Sequence, residues 1–245
     1  MKFRYQPAGD QSILVEVSRQ DDEETNAKIR SLSKLVEEEQ VSGFGETILG
    51  YRTLLVTYDP LQLTFAEAVR KLKSLEREMK EVELPKTRVI EIPIVYGGEN
   101  GPDLEAVAEH NQLTPQEVIT IHSSPEYLVY FLGFTPGFPF LGGMSEKLAT
   151  PRLSNPRVSI PGGSVGIAEG QTGIYPVKSP GGWRLIGRTP LALYDPGKAN
   201  PFLLEAGDYV KFKPIRQREF ESIVHEVETG EYEPVISVKG GNGHF

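Results

Sequence analysis

PRVSIPGGSVGIAEGQTGIYPVKSPGGWRLIGRTP, residues 156–190, is the stretch on which the fold turns. Its apolar runs are short, at 158–160, 164–168, 174–177 and 184–187, and Gly or Pro stands between each pair. Helices need longer periodic runs without such breaks, whereas short strands joined by tight turns build a β-barrel or a sandwich. The same rhythm extends outward to 127–132 on one side and to 191–194 and 209–213 on the other. Helices are expected at the borders. Asp103 is placed to cap one, and Thr114-Pro115-Gln116-Glu117 combines an N-cap, Pro at the first helical position and Glu at the third. Residues 217–229 put Phe220, Ile223, Val224 and Val227 on one helical face, with Gly230 as the stop.

The residues before 97 follow another plan. Residues 1–96 hold 4 Gly and 4 Pro, and residues 97–245 hold 21 and 15. That shift predicts two domains, 1–96 and 97–238, meeting near Gly97-Gly98, with a disordered tail at 239–245. In the first, 12–17 alternates as a strand, and Asp21 or Asp22 caps a helix with Ile29, Leu32, Leu35 and Val36 inward. Strands follow at 46–50 and 53–58. Thr64 and Glu67 then form a capping box, and 88–95 closes the unit as a strand. The order β-α-β-β-α-β is that of a ferredoxin-like domain, so the expected class is α+β.

Composition narrows the function. The chain of 245 residues has 0 Cys, which excludes thiol nucleophiles, disulfides and Cys-based metal sites. Its net charge is -8, and Lys and Arg are not clustered, so nucleic acid is a poor partner. No apolar run reaches a membrane span and the N-terminus lacks a signal-like stretch, so a cytoplasmic location and no membrane partner are expected.

The chemistry-bearing signals are few. Gly162-Gly163-Ser164-Val165-Gly166 matches G-x-S-x-G, but no helix-forming run follows, so Ser164 reads as part of a turn between strands. The Gly-rich run lacks the Gly-Lys-Ser or Gly-Lys-Thr of a phosphate-binding loop. His110, His122, His225 and His244 show no metal-ligand spacing, and no metal is expected. His122 alone lies near the aromatic stretch, and a hydrogen-bonded structural role suits it better than catalysis. That stretch, 131–143, interleaves Phe131, Phe134, Phe138 and Phe140 with Gly and Pro. It reads as a rigid aromatic loop bordering a groove. Paired glycines at 162–163 and 181–182 either turn backbone N–H groups toward an anion or simply close two hairpins. Trp183, the only Trp, either borders the groove or fills the barrel.

GFTPGFPFLGG (133–143), PRVSIPGGSVGIAEGQTGIYP (156–176) and SPGGWRLIGRTP (179–190) resemble, in order and spacing, the motifs of the allophanate hydrolase subunit 1 family. The resemblance covers nearly the whole chain. Phe134, Pro136, Gly137 and Phe138 carry the first motif. Pro161, Gly162, Gly163, Ser164, Gln171, Thr172, Gly173, Tyr175 and Pro176 carry the second. Gly181, Gly182, Trp183, Arg188 and Thr189 carry the third. Relatives often have Ala at position 162 or 163 and Tyr at 140.

The resemblance implies a cyclophilin-like barrel with flanking helices after a small α/β domain. It implies a non-autonomous subunit of an ATP-dependent 5-oxoprolinase, which opens 5-oxoproline to L-glutamate. Its partners would be the C-type subunit, of the allophanate hydrolase subunit 2 family, and the A-type subunit. ATP belongs to the complex. Some relatives instead inhibit autophosphorylation of a sporulation sensor histidine kinase, and others serve urea or allophanate metabolism. A prolyl isomerase is a further, weaker reading of the fold. On the leading reading the motif residues form the groove. Gln171 and Thr172 orient the lactam, Arg188 pairs with a carboxylate or phosphate, and Phe134, Phe138 and Tyr175 form the wall. Candidates for catalysis are His122, Glu169, Gln171 and Arg188.

Overall fold

A computed structural model describes residues 3–17, 21–79 and 86–239. The chain divides into two compact units, Met1–Pro85 and Lys86–Phe245. The expected tail lies, apart from Lys239, outside the described residues.

The first unit contains β1 (Arg4–Pro7), β2 (Ser12–Glu16), α1 (Glu23–Glu38), β3 (Phe44–Leu49), β4 (Thr53–Tyr58) and α2 (Phe65–Glu78). Local chemistry sets the helix starts. Asp22 accepts the Thr25 N–H at 2.7 Å, and Thr64 and Glu67 close a reciprocal capping box. The strands pair antiparallel in the order β1-β2-β4-β3. Ile13 and Val15 alternate inward and join Ile29, Leu32, Leu54, Val56 and Leu72 in a core sealed from water.

This corrects the expected ferredoxin-like unit. That fold needs 88–95 as its last strand, beside β2. The place beside β2 is taken by β1, and the strand Arg88–Tyr96, here β5, belongs to the second unit. The reason is burial. Six of the nine residues of β5 are buried, and they are not confined to alternate positions. Such a strand suits the middle of a sheet covered on both faces, not the edge of a half-exposed one. Gly97-Gly98 therefore lies within the second unit, just after β5.

The second unit continues with α3 (Leu104–His110), α4 (Pro115–Ser123), β6 (Glu126–Leu132), β7 (Pro139–Gly142), β8 (Arg157–Ile160), β9 (Ser164–Ala168), β10 (Gln171–Ile174), β11 (Ser179–Gly181), β12 (Arg184–Arg188), β13 (Tyr209–Pro214), α5 (Gln217–Thr229) and β14 (Ile236–Val238). Its main sheet runs β10-β9-β12-β5-β13-β6-β7, with β14 also on β5. The end strands β10 and β7 approach each other, so the sheet is nearly closed into a barrel. Strands β5 and β13 pair in parallel, from Tyr209 opposite Val89 to Pro214 opposite Ile94. A separate hairpin-like pair, β8 and β11, sits off this path. Helices α3, α4 and α5 pack against β12, β13 and β5. The chain is thus a mixed α+β protein with a barrel-like second unit.

Local details depart from expectation at three places. The apolar run predicts a strand at 174–177, but β10 spans Gln171–Ile174, because Pro176 has no N–H to give a ladder. At 191–194 only a single bridge forms, between Tyr194 and Phe202. Asp103 does precede α3, yet its side chain makes no cap bond. Among the described residues no helix is long and apolar enough to cross a membrane.

Candidate functional site

Three segments far apart in sequence converge on one aromatic cavity of about 270 Å³ in the second unit. The β6–β7 connection brings Phe134, Phe138 and Phe140, strand β10 and the residues after it bring Gln171 and Tyr175, and the 180–183 segment brings Pro180, Gly181, Gly182 and Trp183. Phe138 is the hinge of the wall. Its ring meets Phe134, Phe140, Tyr175 and Trp183 edge-on, with centroids 5.4–5.8 Å apart. Edge-to-face contact is the arrangement that aromatic quadrupoles favour.

The loop carrying these rings is held by its own backbone. Gly133 N donates to Phe138 O, Thr135 N to Gly133 O and Phe138 N to Thr135 O. Phe134 takes a left-handed φ of 66°, unusual for a bulky residue, and its ring is 77% exposed at the rim. Gly181 is required on the opposite wall, since a Cβ there would lie 2.4 Å from Tyr175 Oη. Burial pushes the Tyr175 phenol above its ordinary pKa, against a backbone hydrogen bond from Trp183 and the positive charges of Arg152 and Arg157. The wall is largely aromatic. Its polar groups are the Gln171 amide and the Arg152 guanidinium.

A partly buried ion pair lies behind Trp183. Arg157 Nη2 donates to Asp103 Oδ1 at 2.9 Å, and its Nη1 donates to the Trp183 carbonyl at 3.4 Å. Asp103 Oδ2 accepts the Leu185 N–H at 2.7 Å. This use of the carboxylate explains why Asp103 does not cap α3.

A second polar group lies in the barrel interior. His122, on α4, is wholly buried. Thr172 Oγ1 donates to the Gly166 carbonyl at 3.1 Å, so it receives the His122 Nε2–H at 2.8 Å. His122 Nδ1 then accepts the Tyr96 hydroxyl at 2.8 Å. The ring stacks on Phe212 at 4.5 Å, and its own carbonyl accepts the Tyr127 hydroxyl at 2.7 Å. Burial lowers the His122 pKa to about 3, so the imidazole is neutral.

Known proteins share this architecture. The family model for the carboxyltransferase domain, subdomains C and D, matches residues 3–204. The chain is 44% identical to the B-type subunit of 5-oxoprolinase from Bacillus subtilis over 236 residues, 92% of this chain and 98% of that protein. The chain belongs to this carboxyltransferase subdomain C and D family. Its motifs are those of the allophanate hydrolase subunit 1 family. A conserved uncharacterized protein from Pyrococcus horikoshii, 49% identical, superposes with a TM-score of 0.53 over 89% of this chain and 100% of that one. The urea carboxylase of Kluyveromyces lactis shares the fold, with a TM-score of 0.76 at 23% identity, over 96% of this chain and 24% of that one.

Within this family member the motif residues separate into four places. Phe134, Phe138, Gln171, Tyr175, Gly181, Gly182 and Trp183 line the aromatic cavity. Pro136 and Gly137, with the other flank of Phe134, line a shallower depression against Phe202. Pro161, Gly162, Gly163, Ser164, Arg188 and Thr189 knit a turn. Gly163 N donates to Tyr175 O, Thr189 N to Gly163 O, and Arg188 Nε to Gly162 O. Ser164 and Thr189 are buried in it. Thr172 faces the interior with His122 instead of the cavity. Glu169 is exposed at the β9–β10 turn. Sequence reading missed Arg152. It stands in the spacer between the first two motifs, with no periodicity or motif to mark it.

Proposed function

We propose that this chain is the B-type subunit of an ATP-dependent 5-oxoprolinase and that the aromatic cavity, on a barrel of the cyclophilin-like kind, takes the lactam. The observation that carries the reading is the convergence of all three motif segments on one small aromatic cavity that also holds an amide and a guanidinium. Its volume is just below the roughly 300–1,000 Å³ of drug-sized sites, which suits a small ring. The B. subtilis relative bears the name of that subunit.

Ring opening breaks one C–N bond. Water supplies the oxygen of the new carboxylate, and its two protons convert the lactam N–H into the ammonium of glutamate, while a second water is consumed as ATP becomes ADP and phosphate. ATP supplies the carbonyl activation that an amide requires. The Gly162-Gly163 turn does not fit a phosphate cradle, because the Gly163 N–H is spent on Tyr175 O. We therefore assign ATP to the A-type and C-type partners. This chain's part is to orient. The Gln171 amide has both a donor and an acceptor, which matches the C=O and N–H of a lactam. The aromatic wall excludes water and strengthens those hydrogen bonds.

The test is ATP-dependent glutamate release by the reconstituted complex. Release should require this chain, and Gln171→Ala should raise the KM for 5-oxoproline about tenfold, the loss of one net hydrogen bond. Release without this chain, or an unaltered KM, sinks the reading.

Phe134 supports a second use of the same rim. A strained, 77% exposed ring suits contact with a protein partner such as a sporulation sensor histidine kinase. A pull-down with wild type and Phe134→Ala tests it, and equal capture by both removes it.

A further inference from the structure

The second unit carries several arginines around the aromatic cavity, and all but one are committed. Arg157 is bound to Asp103 and to the Trp183 carbonyl. Arg184 Nε donates to the Pro151 carbonyl at 3.2 Å. Arg188 Nε donates to the Gly162 carbonyl at 3.0 Å, and Arg188 does not line the cavity. Arg152 does line it, and among the described residues its guanidinium has no hydrogen bond or ion pair. Among those residues it is also the only charged side chain in the lining.

The backbone around Arg152 is nevertheless fixed. On one side Pro151 is held by Arg184. On the other, Leu153 N donates to the carbonyl of Gly182, itself part of the cavity wall, at 2.7 Å. Just upstream, Thr150 exchanges two backbone hydrogen bonds with Glu169. An exposed guanidinium carried by an anchored backbone, beside an apolar wall, is within reach of an anion that enters the cavity. The planar fork matches a carboxylate with two parallel hydrogen bonds.

We propose that Arg152, and not Arg188, binds the carboxylate of the ligand, so that the cavity selects small cyclic amides that bear a carboxylate. This rests on the reading of the cavity as the lactam site. Gln171 would meet the amide and Arg152 the carboxylate, and the ring would lie against Phe138 and Trp183.

Trp183 is the only Trp of the chain, so its fluorescence reports on this cavity alone. The full chain is titrated with 5-oxoproline, with 2-pyrrolidinone, which lacks the carboxylate, and with inorganic phosphate. Saturable quenching by 5-oxoproline is expected, with 2-pyrrolidinone at least tenfold weaker. Arg152→Ala should weaken 5-oxoproline at least tenfold and leave 2-pyrrolidinone unchanged, and Arg152→Lys should recover part of the loss. Arg188→Ala should change the 5-oxoproline titration less than threefold. The proposal is overturned if 5-oxoproline gives no saturable change, if Arg152→Ala binds it like wild type, if Arg188→Ala costs as much as Arg152→Ala, or if phosphate competes as well as 5-oxoproline. Failure of the ring-opening reading looks different. The complex would then release no glutamate while the titration still discriminated by carboxylate.

Discussion

Gln171 and Thr172 are neighbours on one strand, and they serve two regions that differ in every respect except distance. Gln171 faces an open aromatic cavity. Thr172, one residue on, points to the opposite side of the strand and closes a chain from Tyr96 through His122 to the Gly166 carbonyl. In the interior chain every hydrogen-bonding group has its partner, and burial keeps the imidazole neutral. In the cavity the guanidinium of Arg152 has none among the described residues. A closed network stabilises a fold, whereas an unfilled one on a fixed backbone is available to a ligand. His122 is thereby read as a strut between α4 and the barrel.

The contrast yields a graded set of substitutions. His122→Ala removes a stacked ring and strands the buried Tyr96 hydroxyl, and should cost about 3 kcal/mol of stability by urea unfolding. The same residue predicts a pH signature. Its folded pKa of about 3 lies below the ordinary value of about 6.5, so the unfolded chain binds the extra proton. Stability from this group is intact above pH ~6.5 and is lost as pH falls toward about 3, at up to about 1.4 kcal/mol per pH unit. His122→Gln should flatten that part of the stability profile between pH 6.5 and 5, and an unchanged slope would show that His122 is not held neutral.

Gly163→Ala should cost about 2 kcal/mol, because φ is +82° and the new Cβ would lie 2.4 Å from the Thr189 carbonyl oxygen. Gly162→Ala should cost less than about 1 kcal/mol, since its Cβ meets the Pro176 oxygen at 3.3 Å. Thermal melts of the two variants separate the neighbours. Position 162 is therefore the one expected to accept Ala, a distinction that the motif alone does not make. Thr172→Val should lower stability by about 1 kcal/mol and leave ligand binding alone. Gln171→Ala should do the reverse, changing stability by less than about 0.5 kcal/mol while raising KM. If both variants affected stability alone, the assignment of the two faces would be wrong.

Much of this is legible in the residues, and the failures have physical causes. Strands 157–160, 164–168, 184–188 and 209–214 follow from short apolar runs between breakers, and β10 ends before its expected place because Pro176 has no N–H for a ladder. The cavity's aromatic members are visible as Phe134, Phe138, Tyr175 and Trp183. Arg188 looks like the anion ligand because it sits inside a motif, but its guanidinium is used to hold the Gly162 turn. Arg152 has no motif, and its place in the cavity wall becomes visible only when Leu153 is found bonded to Gly182.

The sequence by itself determined what is settled within a few residues. The caps at Asp22, Thr64 and Thr114 and the left-handed stop at Gly230 each need only three or four neighbours to form. It also determined the family, through three motifs long enough to be specific. Tertiary structure alone decided where β5 belongs, which arginine lines the aromatic cavity and which face of β10 borders it. These depend on partners far along the chain, such as Arg88 with Asp208, 120 residues apart. Such contacts are selected by burial and by the pairing of polar groups in the folded unit, which no local pattern encodes.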